Sequence, residues 1–193
     1  MTSPAAGVLA LQGAFAAHAQ ILRALGADVR EVRTPAHLAE VGGLVIPGGE
    51  STTMMLGIQR EGLAGPLRAF RDAGKPIFGT CAGLIILDQK HLGLMSITAE
   101  RNAYGPQVFS FEQALPVAGI GPGPVHAVFI RAPWIVDYGA EVTVLAETGG
   151  HPVAVAQDQV TAIAFHPELV GEMRLHRRFL GQVRDCQAAA GAR

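Results

Sequence analysis

Residues 76–87 read Pro-Ile-Phe-Gly-Thr-Cys-Ala-Gly-Leu-Ile-Ile-Leu, and this stretch constrains the fold more than any other. The apolar residues before Gly79 and after Gly83 carry no polar face. Both runs are therefore read as buried, the first as a strand and the second as a helix. Between them, Gly79-Thr80-Cys81-Ala82-Gly83 is the cysteine counterpart of the strand–turn–helix motif G-x-S-x-G. Small flanking residues let the backbone bend sharply and leave room beside the sulfur. A helix starting just after Cys81 aims backbone N–H groups and its positive dipole end at the thiol, and both favour thiolate. Such a chain needs a sheet covered by helices, with a sulfur nucleophile at the C-terminal edge of one strand.

The rest of the first half keeps the same alternation. Residues 7–11 predict a strand ending at Gln12-Gly13, and Ala14, Ala17, Ile21 and Leu25 recur at helical spacing up to Gly26. Strands over 29–32 and 43–46 follow, the second cut off by Pro47-Gly48-Gly49. Ser51 or Thr52 is read as the cap of a helix through Met54, Leu56 and Ile58, with a further helix over 63–73. The second half predicts short strands over 108–111, 125–130, 142–146, 152–157 and 160–165, with a hairpin around Thr148-Gly149-Gly150. A closing helix over 172–189 aligns Phe179, Val183 and Cys186 as a core face. The expected fold is α/β: one domain over 1–193, with a mixed, mainly parallel sheet, helices on both faces and antiparallel strands near one edge. In such sheets sites form beyond the C-terminal strand ends. Three loops should meet there: Gln12-Gly13, residues 47–51 and Thr80-Cys81-Ala82.

Composition narrows the function. Apolar residues make up 49% and charged residues 16% of 193 positions, which suits one buried core and not a disordered chain. A net charge of −1 argues against nucleic acid or an anionic membrane as partner. Two cysteines, Cys81 and Cys186, do not make a disulfide framework, and a reduced cytoplasmic setting suits a thiol nucleophile. The opening MTSPAAGVLALQG has no basic segment before its short apolar stretch, so neither signal peptide nor anchor is expected. No Cys/His cluster has zinc-ligand spacing, and neither metal nor cofactor is expected. His91, His126 and His151 have no partner at useful spacing and are read as structural or surface residues.

A cysteine nucleophile needs a base, and the base needs an acceptor to orient it. The candidate is Phe165-His166-Pro167-Glu168, directly after an apolar strand. In extended backbone His166 and Glu168 share a face, and Pro167 biases His166 toward that conformation. A carboxylate accepting from one ring nitrogen fixes the tautomer and turns the other nitrogen toward the sulfur, in the order Cys81…His166…Glu168. In Pro47-Gly48-Gly49-Glu50-Ser51-Thr52, two glycines allow close backbone approach. The N–H groups of Gly48 and Gly49, with that of Ala82, are candidate oxyanion-hole donors, and Gln12-Gly13 stands at the same rim.

PGGEST, GTCAGLIIL, ERN and FHPEL resemble the class I glutamine amidotransferases, and more narrowly the glutaminase subunit of pyridoxal 5′-phosphate synthase. The resemblance runs from GVLALQG through FIRAP to FHPEL, nearly the whole chain. It implies hydrolysis of L-glutamine with Cys81 as nucleophile, His166 as acid and base, and Glu168 as the acidic triad member. It also implies glutamine binding at Gly49, Glu50, Ser51, Arg101, Ile130 and Arg131. Arg101 and Arg131 are equal candidates for the glutamine carboxylate. The resemblance further implies a large hetero-oligomer with a (β/α)8-barrel synthase subunit that receives the ammonia. Two stretches depart from the pattern: residues 87–91 are short, and residues 118–124 are rich in Gly and Pro. Rival readings are an amidase subunit serving another acceptor, a stand-alone cysteine hydrolase, and a non-catalytic docking module.

Overall fold

The computed structural model describes residues 3–101 and 110–191. Its elements in chain order are β1 (Ala5–Leu9), α1 (Phe15–Ala24), β2 (Asp28–Val32), α2 (Pro35–Ala39), β3 (Gly43–Ile46), α3 (Ser51–Arg60), α4 (Ala64–Asp72), β4 (Ile77–Thr80) and α5 (Ala82–Leu87). The second half adds β5 (Ile97–Glu100), β6 (Phe111–Leu115), β7 (Val125–Phe129), β8 (Trp134–Tyr138), β9 (Thr143–Thr148), β10 (His151–Gln157), β11 (Val160–Ile163) and α6 (Arg174–Gly191). A short 3-10 turn, Pro167–Leu169, lies between β11 and α6.

Seven strands form the main sheet in the order β2-β1-β3-β4-β11-β10-β9. The first five run parallel, and β10 and β9 are antiparallel additions at one edge. Every residue of β3, β4 and β11 is buried, as parallel strands covered on both sides require. The side chains of β3 show which helices cover which face. A Cβ on Gly43 would touch Val183 and Phe179 of α6, whereas Gly83 of α5 packs on Ile46. Gly43 and Ile46 are three residues apart and point to opposite faces, so α6 and α5 lie on opposite sides of the sheet.

The structure differs from the sequence expectations in five places. The strands are not all in one sheet: β5 pairs with β8, and β6 with β7, as two separate antiparallel ribbons. β5, β8 and α2 were not anticipated, because each is short and carries a weak apolar pattern. The strand expected over 108–111 instead begins at Phe111 among the described residues; 108 and 109 lie outside them, as does Asn102 of the ERN motif. Helix α3 is capped not by Ser51 or Thr52 but by Glu50, whose carboxylate accepts from the backbone N–H groups of Thr52 and Thr53. Cys186 is half-buried and its thiol reaches the Gly74 carbonyl, while Phe179 and Val183 form the core face. Among the described residues no helix is long and apolar enough to cross a membrane.

Candidate active site

The chain direction reverses its order around β1: β2 lies on one side and β3 on the other. Loops leaving β1 and β3 therefore diverge and open a crevice at their C-terminal ends. The β4–α5 turn supplies Cys81 beside it. Cys81 has φ 48° and ψ −105°. This left-handed, sparsely populated conformation is held by the N–H of Cys81 donating to Ile163 of β11 at 2.8 Å and that of Leu84 donating to the Cys81 carbonyl at 3.0 Å. Gly83 has to be glycine, since a Cβ there would run into the Ile46 carbonyl oxygen. Of the three non-glycine residues with positive φ among those described, Cys81 and Arg131 (φ 44°) both line the same cleft.

That cleft has a volume of about 380 Å³ and is lined by Gln12, Gly49, Glu50, Ser51, Cys81, Ala82, Arg101, Ile130, Arg131 and His166, together with Ile85, which the sequence did not single out. His166 enters from the turn after β11, anchored by its N–H donating to the Val128 carbonyl at 2.8 Å. Its Nδ1 lies 2.7 Å from Glu168 Oε1, although the backbone at Pro167–Leu169 is a 3-10 turn and not the extended segment expected. A carboxylate only accepts, so Nδ1 carries the proton. With Nδ1 taken by Glu168, Nε2 is the ring nitrogen left for the Cys81 sulfur, which lines the same cleft. Burial works to lower the His166 pKa, but its interactions with Cys81 and with Glu168 outweigh it and raise it well above the ordinary histidine value. For Glu168, burial opposes ionisation, yet the hydrogen bond from His166 and the charge on that ring hold it below the usual carboxylate range.

Gly48 acts here as a spacer. A Cβ on it would sit 2.5 Å from His166 Cε1 and 3.3 Å from Cys81 Cβ, so any side chain would drive the two apart. Gln12 and Gly13 brace the glycine loop. Gln12 Oε1 accepts from the Glu50 N–H at 2.7 Å, and Gly13 packs against the Gly48 carbonyl, which also accepts from the Ala14 N–H at 3.0 Å. The Glu50 carboxylate is held low, at about 2, first by the Thr53 hydroxyl and then by the backbone N–H groups it caps. Arg101 donates to Glu50 Oε1 at 3.1 Å and to Thr52 Oγ1 at 3.2 Å, which poises its guanidinium on the cleft wall. The buried Ser51 hydroxyl has no hydrogen-bond partner among the described residues. The Ile130 carbonyl stands 4.0 Å from Cys81 Sγ. No group of three or more potential metal ligands occurs among the described residues.

The SNO glutamine amidotransferase family matches residues 8–185. The chain belongs to that family. Among relatives of this amidotransferase, the proteins named pyridoxal 5′-phosphate synthase subunit PdxT from Frankia alni and Streptomyces avermitilis are similar along almost their whole length. The first is 50% identical over 96% of this chain and 98% of its own, the second 49% identical over 95% and 96%. The namesake from Geobacillus kaustophilus is 49% identical over 95% of this chain and 97% of its own. A crystal structure described as a glutamine amidotransferase superposes with a TM-score of 0.87 at 44% identity, covering 93% of this chain and 98% of that one. The structure of PurLQS from Thermotoga maritima shares the fold, with a TM-score of 0.78 at 18% identity and coverage of 93% and 99%.

Sequence reasoning missed a cluster behind this amidotransferase's cleft. His18 of α1, His176 of α6 and Thr80 of β4 are fully buried; His18 faces Glu168, and the other two side chains meet His18. A signal was present: His18 is in phase with Ala14 and Ile21, and His176 with Phe179 and Val183. The other histidines have partners after all. His91 bonds Asp88 at 2.6 Å, His126 bonds Glu112 at 2.6 Å, and His151 stacks on Trp134.

Proposed function

We propose that this chain is the glutaminase subunit of pyridoxal 5′-phosphate synthase, acting as one glutaminase domain over 1–193. It hydrolyses L-glutamine to L-glutamate and hands the ammonia to a (β/α)8-barrel synthase subunit within a large hetero-oligomer in the cytoplasm. The observation that carries the reading is the meeting of Cys81 and His166 on the wall of one cleft, with the buried Glu168 carboxylate 2.7 Å behind His166 Nδ1.

The Cys81 thiolate attacks the carboxamide carbon of glutamine, and the oxygen takes up the negative charge. The N–H groups of Ala82, Gly48 and Gly49 stabilise that charge, each worth about 3–4 kcal/mol where such a donor is well aimed. His166 gives its Nε2 proton to the departing nitrogen, the C–N bond breaks, and ammonia leaves a glutamyl thioester on Cys81. His166, now neutral at Nε2, takes a proton from water as the water attacks the thioester. The C–S bond breaks, glutamate departs, and the thiolate–imidazolium pair is restored. Glu168 keeps the Nδ1 proton in place throughout. The free Ser51 hydroxyl and the guanidinium groups of Arg101 and Arg131 provide the polar contacts for the amino acid end of the substrate, alongside Glu50, Gly49 and Ile130.

The test is glutamate release with and without a synthase subunit, following pyridoxal phosphate in the same mixture. The reading expects glutamate release to rise when the synthase is added and pyridoxal phosphate to appear only when both proteins are present. Equal turnover without the partner, or release that persists in Cys81→Ala, contradicts it.

A further inference from the structure

The triad as drawn leaves one atom unexplained. Glu168 Oε1 accepts from His166, but Glu168 Oε2 is sealed from solvent and has no hydrogen bond of good geometry among the described residues. An unpaired carboxylate oxygen in such a place is costly and frees the carboxylate to turn. The polar group facing it is His18 Nε2, at 3.5 Å. The same nitrogen lies 3.2 Å from Thr80 Oγ1, one residue before the nucleophile, and His18 Nδ1 lies 2.8 Å from His176 Nε2.

We infer that His18 is a positioning residue of the glutaminase, a neutral imidazole whose Nε2–H sits in the fork between Thr80 Oγ1 and Glu168 Oε2 and holds the carboxylate against His166. This rests on the triad reading above.

Proton accounting selects this tautomer. A bare Nε2 would set a lone pair against a carboxylate in a place without water. With the proton on Nε2, Nδ1 is bare and accepts from His176 Nε2–H; the acceptor-only carboxylate sets this tautomer, and the His176 ring, able to donate or accept, follows it. Both rings are kept neutral by burial, which lowers His18 to about 4 and His176 to about 3. His176 is itself held edge-on against Phe78 of β4, with ring centroids 5.4 Å apart. The line from sulfur to core thus has five side chains, Cys81, His166, Glu168, His18 and His176, with Thr80 tying it to the strand that carries the nucleophile.

The test compares four variants assayed in complex with the synthase subunit, in a Cys186→Ser background. His18→Gln can place an amide N–H where Nε2 stands, while His18→Asn, of similar polarity, reaches only the Nδ1 position. His18→Leu removes both. The inference expects His18→Leu and His18→Asn to lower kcat by about tenfold or more with the KM for glutamine unchanged, and His18→Gln to stay within a few-fold of the parent. A shift of about 1 Å in a catalytic group can cost on the order of a hundredfold. Alkylation of Cys81 by iodoacetamide, followed against pH, should change its profile in His18→Asn and keep it in His18→Gln. Full kcat in His18→Leu, or equal losses in the Gln and Asn variants at equal thermal midpoints, overturns the inference. If His18→Leu does not fold, the Gln/Asn contrast decides alone. Cys81→Ala, the fourth variant, separates the two claims: if it retains activity the triad reading fails, and if it is inactive while the His18 variants are normal only the role of His18 fails.

Discussion

Burying two neutral histidines makes the stability of this protein fall in mild acid, by an amount that follows from their environments. In the unfolded chain each titrates near 6.5; in the fold burial lowers His18 to about 4 and His176 to about 3. Below 6.5 the unfolded chain binds protons that the folded chain refuses, so the stability present above 6.5 is lost as the pH falls. The slope reaches about 1.4 kcal/mol per pH unit for each ring. Between pH 7 and pH 5 each ring contributes a loss of about 2 kcal/mol, or roughly 4 kcal/mol for the pair. His166 acts with the opposite sign: its raised pKa stabilises fully below 6.5 and that contribution is lost as pH rises toward about 10. Over the interval from pH 7 to pH 5 it returns under about 1 kcal/mol. The assay is urea unfolding of the parent and His176→Leu at both pH values. The variant should lose about 2 kcal/mol less than the parent on acidification, whatever its stability at pH 7. The same loss in both proteins would refute the reasoning, because it would mean that His176 is already protonated or not buried in the fold.

Two further substitutions probe the cleft. Gly83→Ala forces a Cβ against the backbone oxygen of Ile46, so α5 must move; we expect a loss of about 1–3 kcal/mol in unfolding free energy, with kcat falling because Cys81 begins that helix. Arg101→Ala removes an exposed guanidinium whose partners are Glu50 and Thr52, so the thermal midpoint should hold while the KM for glutamine rises about ten- to a hundredfold, which steady-state glutamate release measures.

How much of this was legible in the sequence depended on how local the physics is. The parallel strands β3, β4 and β11 were readable because strands buried on both faces are simple apolar runs, and the β9–β10 hairpin because Gly149 and Gly150 both take the positive φ that its turn needs. The turn at Cys81 and the pairing of His166 with Glu168 were readable from residue type and spacing, even though the backbone between the latter two coils into a 3-10 turn. The Glu50 cap was missed because glutamate is not a preferred cap residue; here its longer chain folds back onto two N–H groups and is steadied by Arg101, which comes from far along the chain. The ribbon β5–β8 was missed because its pairing joins segments far apart and half of its residues face solvent. His18 and His176 were visible only as polar residues in phase with apolar stripes. What they face was decided by packing α1 and α6 under the β4–α5 turn, which no local pattern encodes.

The central claim is that Cys81 carries the glutamyl group between the departure of ammonia and the arrival of water. Acid-quenching the complex during turnover with glutamine, then mapping peptides by mass spectrometry, tests this directly. The account predicts one glutamyl group, labile to hydroxylamine, on the peptide holding Cys81 and none on that holding Cys186. Steady glutamate release with no adduct at Cys81, unaltered in Cys81→Ala, would contradict it.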